Sequence, residues 1–356
     1  MAILTHYFER TILDHIFGVT EFTRLTSLYL GISSTAFSES DTASQALAKE
    51  PGSSGTTYNG NGYSRVSVYS NFEDTTDGAT NGSQISFPEA TTSNWGDIQY
   101  WALFEDALPS NGTSSSTIDA DNGQKPLMIG SFSAAVTTNV GDQFRIASGD
   151  FDITLPSAIQ ITSNNNFTNT KFHLVNLMGL NGPVSGWTFW DGTVVNRQFY
   201  LGISTSAFGT SGSNNEDSAG EQEPGFGGSA GSALSNYNQN GYSYRPTIYF
   251  NSASTSNGTT TITNSNAVEF PEATANWGDI THFAVFAGGD QDSNAVSHQR
   301  YAKYPAGNSV QLGTSSNYGA IEQRRPFFIG ALDATKTIGS GDTLRFPAGS
   351  ISIALD

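Results

Sequence analysis

Apolar residues in this chain recur at every second position in short runs, except in one segment near the start. Leu28/Leu30/Ile32, Phe151/Ile153/Leu155, Phe199/Leu201/Ile203 and Ile351/Ile353/Leu355 alternate with period two, the spacing of a strand with one buried face. Residues 100–104 and 282–286 are apolar on both faces, which predicts central strands covered on both sides. Clusters of Gly, Asn and Pro between the runs predict turns. Residues 3–17 follow a different period: Leu4, Tyr7, Phe8, Ile12 and Ile16 fall at helical spacing, with Gly18 placed as a C-cap. This helix precedes the first strand, so it is not a sheet crossover. A short amphipathic helix needs a partner, and this one either packs on the end of its own domain or docks onto another chain.

The strand-like blocks occur twice, in the same order. Leu28-Tyr29-Leu30-Gly31-Ile32-Ser33 returns as Phe199-Tyr200-Leu201-Gly202-Ile203-Ser204, and Glu50-Pro51-Gly52 as Glu223-Pro224-Gly225. Asn61-Gly62-Tyr63-Ser64 with Arg65 returns as Asn240-Gly241-Tyr242-Ser243 with Arg245. Residues 87–91 (Phe-Pro-Glu-Ala-Thr) return at 270–274, and residues 94–98 (Asn-Trp-Gly-Asp-Ile) at 276–280. Ile129-Gly130 matches Ile329-Gly330, and Gly141-Asp142 with Arg145 and Gly149 matches Gly341-Asp342 with Arg345 and Gly349. Blocks kept in order while the distances between them grow are strands joined by loops that tolerate insertion. The expected fold is mainly β: two tandem antiparallel β-sandwich, jelly-roll-like domains behind a short N-terminal amphipathic helix. The expected divisions are a helical arm over 1–20, module 1 over 21–155, an Asn/Thr-rich connector over 156–196, and module 2 over 197–356. Residues 172–179 in the connector read as a decayed counterpart of the N-terminal helix.

Composition narrows the partners. The 356 residues carry a formal net charge of −17, and the 15 Lys and Arg are scattered. Nucleic acid and anionic membranes need clustered cations, so neither is an expected partner. The acidic, lysine-poor balance suits salty water. There are no cysteines, which removes disulfides, thiolate metal sites and cysteine nucleophiles. No run approaches the roughly 18 to 20 apolar residues that span a bilayer. Glu9, Arg10 and Asp14 interrupt any secretory leader, so synthesis in a host cytoplasm is expected.

Candidate chemistry is sparse. The five histidines, His6, His15, His173, His282 and His298, have no carboxylate or His partner at ligand spacing. Gly225-Phe226-Gly227-Gly228 lacks a following phosphate-binding lysine and reads as a loop tip. Asp97 beside Trp95, and Asp279 beside Trp277, allow two readings. The first has glycosidase or calcium carboxylates with tryptophans that stack on sugar; the second has a turn that Asp bonds and Trp covers. Duplication in both modules favours the turn, and Glu89 and Glu272 need no acid/base role. Calcium is a weak candidate at Glu216-Asp217 and at residues 290–292, neither of which follows the alternating acidic pattern. No cofactor is expected. Trp187 and Trp190, just before the second module, are candidate exposed aromatic contacts.

The ordered set of helix, Leu-Tyr-Leu-Gly-Ile-Ser, Gly-Tyr-Ser-Arg, Phe-Pro-Glu-Ala-Thr, Asn-Trp-Gly-Asp-Ile, Ile-Gly and closing Gly-Asp with alternating Ile/Leu resembles a family of bacteriophage virion structural proteins. These are tail-fibre-like, particle-surface β proteins of tailed phages, including those of marine bacteria. The resemblance covers nearly the whole chain, and the duplication departs from the single module common in such proteins. It implies a non-enzymatic virion component with no catalytic residues to transfer. Its expected place is tail-associated, with capsid decoration and a carbohydrate-binding module pair as the other readings. The partners to test for are other phage structural proteins, further copies of the chain as a homo-oligomer or in multiple copies on the particle, and a host-surface glycan reached through long loops. Leu4, Tyr7, Phe8, Ile12 and Ile16 would then form a particle-docking helix, and the loops over 209–240 and 287–324 would face outward.

Overall fold

A computed structural model describes residues 3–16, 19–20, 25–69, 71–75, 78–154, 199–208, 223–224, 239–287 and 328–355. The connector, with Trp187, Trp190 and residues 172–179, lies outside them, as do Gly18 and most of the loops over 209–240 and 287–324.

The protein is mainly β, and every strand pair within its sheets is antiparallel, as the alternation predicts. The first repeat runs β1 (Ile3–Leu4), α1 (His6–Ile16), β2 (Tyr29–Ser33), α2 (Ala43–Lys49), β3 (Val66–Ser67), β4 (Phe72–Thr75) and β5 (Gly78–Asn81). It continues through β6 (Ile85–Glu89), β7 (Gly96–Phe104), α3 (Ser115–Ala120), β8 (Met128–Thr138), β9 (Gln143–Ile146) and β10 (Asp152–Thr154). The second runs β11 (Phe199–Ser204), β12 (Thr247–Ile248), β13 (Ser254–Ser256), β14 (Thr259–Thr263) and β15 (Val268–Glu269). It ends with β16 (Gly278–Ala287), β17 (Phe328–Ile338), β18 (Arg345–Phe346) and β19 (Ser352–Leu355).

Strand order shows that the duplication is architectural as well as sequential. The first repeat forms sheets β1-β8-β7-β2-β3, β10-β5-β4 and β6-β9; the second forms β12-β11-β16-β17, β13-β14-β19 and β15-β18. Strands β2 to β10 therefore correspond one to one with β11 to β19. Even an irregularity is copied: pairing slips between Ile98 and Tyr100 in β7, and between Ile280 and His282 in β16. β7 and β16 are central in their sheets, which explains why both of their faces are apolar.

In each repeat the sheets face one another across one apolar core. Leu30, Ile32, Trp101 and Leu103 meet Phe72, Ile85, Phe87, Phe144 and Ile153; Leu201, Ile203, Phe283 and Val285 meet Ile262, Val268, Phe346 and Ile353. Behind β7, α2 covers the second face, with Ala46 packed against Phe37, Ala102 and Phe104. A capping box starts α2: Thr42 accepts from the Gln45 amide, and the Gln45 side chain accepts from the Thr42 amide.

A buried asparagine closes each core at the end of its three-stranded sheet. Asn81 donates to the Ser83 and Ala147 carbonyls (both 2.8 Å) and accepts from the Phe151 amide (2.8 Å). Asn264 does the same with Asn266 (2.7 Å), Pro347 (2.9 Å) and Ile351 (2.8 Å). Each holds three chain segments with one saturated amide. Replacing Asn81 by Ala leaves those backbone groups unpaired. It is expected to cost about 2–4 kcal/mol, as a partial loss of a few buried hydrogen bonds, read as a lower denaturation midpoint for the first repeat. Asn264→Ala should do the same to the second.

Candidate functional site

The polar groups that recur in both repeats meet behind the central strands. Glu50 follows α2, and its carboxylate is gripped by Arg65, with Nε 3.1 Å from both oxygens and Nη2 2.8 Å from Oε2. Tyr63 donates its hydroxyl to Glu50 Oε1 (2.6 Å) and accepts from the Ile32 amide (3.1 Å). Arg65 Nη1 also donates to the Asp106 carbonyl and to Gln124 Oε1 (both 3.0 Å). The guanidinium lies 3.4 Å from the centroid of the Phe104 ring. Gly31 is glycine because the carboxylate rests on it: a Cβ there would come 2.3 Å from Glu50 Oε1.

The second repeat rebuilds this arrangement. Arg245 grips Glu223 (Nη2 to Oε2 2.6 Å), Tyr242 donates to Glu223 Oε1 (2.7 Å), and Arg245 lies 3.5 Å from the Phe286 centroid. A Cβ on Gly202 would come 2.5 Å from Glu223 Oε1. The Arg65 and Glu50 side chains are both 0% exposed. Burial, followed by the neighbouring carboxylate, holds the Tyr63 and Tyr242 phenols well above the ordinary value of 10.0, so both stay protonated donors.

The other repeated motifs also support backbone. Asn61 and Asn240 both sit at φ 56°, in the left-handed region, and begin tight turns. Trp95 Nε1 donates to the Asn61 carbonyl (3.1 Å) and Trp277 Nε1 to the Asn240 carbonyl (2.8 Å). Both indoles are 5% exposed and pack edge-on against Tyr63 and Tyr242. They are covered, which removes them as sugar-stacking platforms. Asp97 accepts from Thr137 Oγ1 and Asp279 from Thr337 Oγ1 (both 2.6 Å), each across a strand pair. Asp142 and Asp342 accept from the amides of Asn139 (2.9 Å) and Gly339 (2.7 Å) and brace their turns. The turn reading describes Asp142 and Asp342, whereas Asp97 and Asp279 stand in strands and bond a threonine hydroxyl on the neighbouring strand instead of turn backbone.

Helix α1 is placed between the repeats. Thr5 caps it, accepting from the Phe8 amide (3.3 Å) and donating to the Pro126 carbonyl (2.6 Å). Leu4, Phe8 and Ile12 are buried in the first core, and Tyr7 packs against it half-buried. Leu13 belongs to the second core. On that same side Glu9 Oε2 accepts from Thr260 Oγ1 (2.6 Å) and Asp14 Oδ1 from the Ala253 amide (2.6 Å), while His6 Nε2 lies 3.1 Å from the Gly258 carbonyl. Burial raises the Asp14 carboxyl above its ordinary range, against the pull of that amide. Of the two roles open to this helix, packing on its own domain is realised and extends to the second repeat. The Leu4, Phe8 and Ile12 stripe is thus covered within the chain; the Ile16 side chain lies outside the described set.

A family model described as Podophage GP4 fiber I protein gp80 matches residues 3–154 and 193–300. The chain belongs to this family. The first match opens at β1 and closes at β10, and the second takes in β11 to β16 and stops before β17. A comparison with curated proteins returns no match. Membership agrees with the resemblance to phage fibre-type structural proteins read from the motifs. Among the described residues of this gp80 relative, no group of three or more His, Cys, Asp or Glu is placed to hold a metal ion. The acidic stretches at 216–217 and 290–292 lie outside them.

Sequence reasoning found the gp80 motifs without pairing them. Glu50 with Arg65 and Glu223 with Arg245 were visible as separate blocks, and their equal copying was the signal that they interact. Leu13 and Glu9, the second face of α1, were missed because they form a separate stripe beside the longer one. That two-sided helix yields a direct expectation. Phe8→Ala should cost about 3–5 kcal/mol and loosen chiefly the first repeat, whereas Leu13→Ala should cost about 2–5 kcal/mol and loosen chiefly the second. Amide hydrogen exchange resolved by repeat reads the difference.

Proposed function

We propose that this chain is a non-enzymatic, tail-associated fibre building block of a podophage particle, which contacts the host surface through the loops between its strand blocks. The observation that carries the reading is that the family match spans the whole first β unit and β11 to β16 of the second, and that the recurrent polar residues of these units are spent on internal structural bonds. Glu50, Arg65, Tyr63, Trp95, Asp97 and Asp142, with their second-repeat counterparts, are engaged in structural bonds. Recurrent residues used this way suit a load-bearing part. Among the described residues no helix is long and apolar enough to cross a membrane.

Host contact is assigned to the segments over 209–240 and 287–324, where the two repeats diverge in length. Several copies on one particle would make individually weak loop contacts effective through avidity.

Labelling the chain on intact particles and locating the label by electron cryomicroscopy tests the placement. Label on the tail or its fibres is expected; label in register with the capsid lattice overturns the tail assignment in favour of capsid decoration. Purified chain should also compete with phage for adsorption to host cells. A lack of competition at saturating protein removes the host-contact part of the reading.

A further inference from the structure

The two repeats share one plan, so a surface position where they differ in character marks something that one does and the other does not. β8 and β17 form such a pair. β1 covers β8 only at Met128 and Ile129, and among the described residues no strand lies beside the rest of that edge. Between Ser131 and Val136, four residues of β8 stand opposite Gln99 alone, and pairing with β7 resumes at Val136. Residues 133–137 are all exposed.

In β17 the corresponding residues 333–337 are also exposed, and they include Asp333 and Lys336. Charges on an exposed edge, lysine above all, are how sheets keep other chains from adding to them. β8 has none: its residues are Ser133, Ala134, Ala135, Val136 and Thr137. Val136 is 50% exposed, and Val140 in the following turn is 49% exposed. They are two of the four large hydrophobic residues exposed in the described structure. At the position of Val140 the second repeat has Ser340. The backbone is the same in both, since the Val140 amide donates to Asn94 Oδ1 and the Ser340 amide to Asn276 Oδ1, each at 3.0 Å. Val140 is therefore not needed to form the turn.

We infer that the outer surface of β8 at residues 133–137, with Val140, is an interface that docks against the same surface of a second copy of this chain. A two-fold contact brings a patch against itself, so it tolerates small neutral side chains and rejects a like charge facing its own copy. This patch meets that condition. About a two-fold passing between Ala134 and Ala135, Ser133 faces Val136 of the other copy. A basic partner, the alternative that the −17 net charge favours, finds no carboxylate among residues 133–137; the one beside them, Asp97, stands on β7 and bonds Thr137 Oγ1. The same net charge opposes two copies at long range, so their association should tighten as salt screens it. The inference stands independently of the fibre reading.

Sedimentation equilibrium of the full chain at low and high salt tests it, alongside the double variant Val136→Lys/Val140→Ser. Both new residues are those the second repeat carries at these positions, so the fold accommodates them. Wild type should dimerise, more tightly at high salt, and the variant should associate at least tenfold more weakly. A wild type that stays monomeric across the range overturns the inference, and so does a variant that dimerises as tightly as wild type.

Discussion

The buried Arg–Glu pair behind each central strand is the interaction that organises the rest. The Glu50 and Arg65 side chains are fully buried, and the Coulomb attraction between them offsets the lost hydration only if further hydrogen bonds serve the remaining groups. Here Arg65 spreads N–H groups over Glu50, the Asp106 carbonyl and Gln124, its guanidinium lies on the Phe104 ring, and Tyr63 gives its hydroxyl to the same carboxylate. Satisfying the pair fixes segments that are far apart in the chain. The end of α2, the Asn61 turn, the bare backbone at Gly31 and the Phe104 ring must all arrive together. Trp95 then pins the same Asn61 turn from β7's side. The second repeat builds the same contact from Arg245, Glu223 and Tyr242 over Phe286.

Much of this was legible in the amino-acid pattern. Period-two alternation marked β2, β10, β11 and β19, and apolar runs on both faces marked β7 and β16 as central. The block order revealed the duplication that strand topology repeats. α2 and α3 were not read, although Thr42-x-x-Gln45 carries the capping-box signature; helices of seven and six residues are too short to show a period. Asn81 and Asn264 were also missed, since a polar residue closing a core looks in sequence like one more turn asparagine. The two-sided burial of α1 was not legible either: Phe8 and Ile12 fill one core and Leu13 enters the other.

Helix α1 changes what the duplication means. Two copies of a gp80-type unit joined only by a connector would be free to reorient, whereas a helix buried on two sides gives them a shared element. Glu9 and Asp14 take hydrogen bonds from Thr260 and Ala253, and His6 sits between Glu39 and the Gly258 carbonyl. The asymmetry between copies then lies on the surface, in loop length and in edges such as β8 and β17.

The central claim is that the recurrent motifs are there to hold the backbone, and a double-mutant cycle on Glu50 and Arg65 tests it most directly. Arg65→Met or Glu50→Leu alone strands a buried charge and should cost about 3–5 kcal/mol in the first repeat, measured by chemical denaturation, with the double variant costing far less than the sum. Single variants within about 0.5 kcal/mol of wild type, the behaviour of ordinary surface positions, would contradict it.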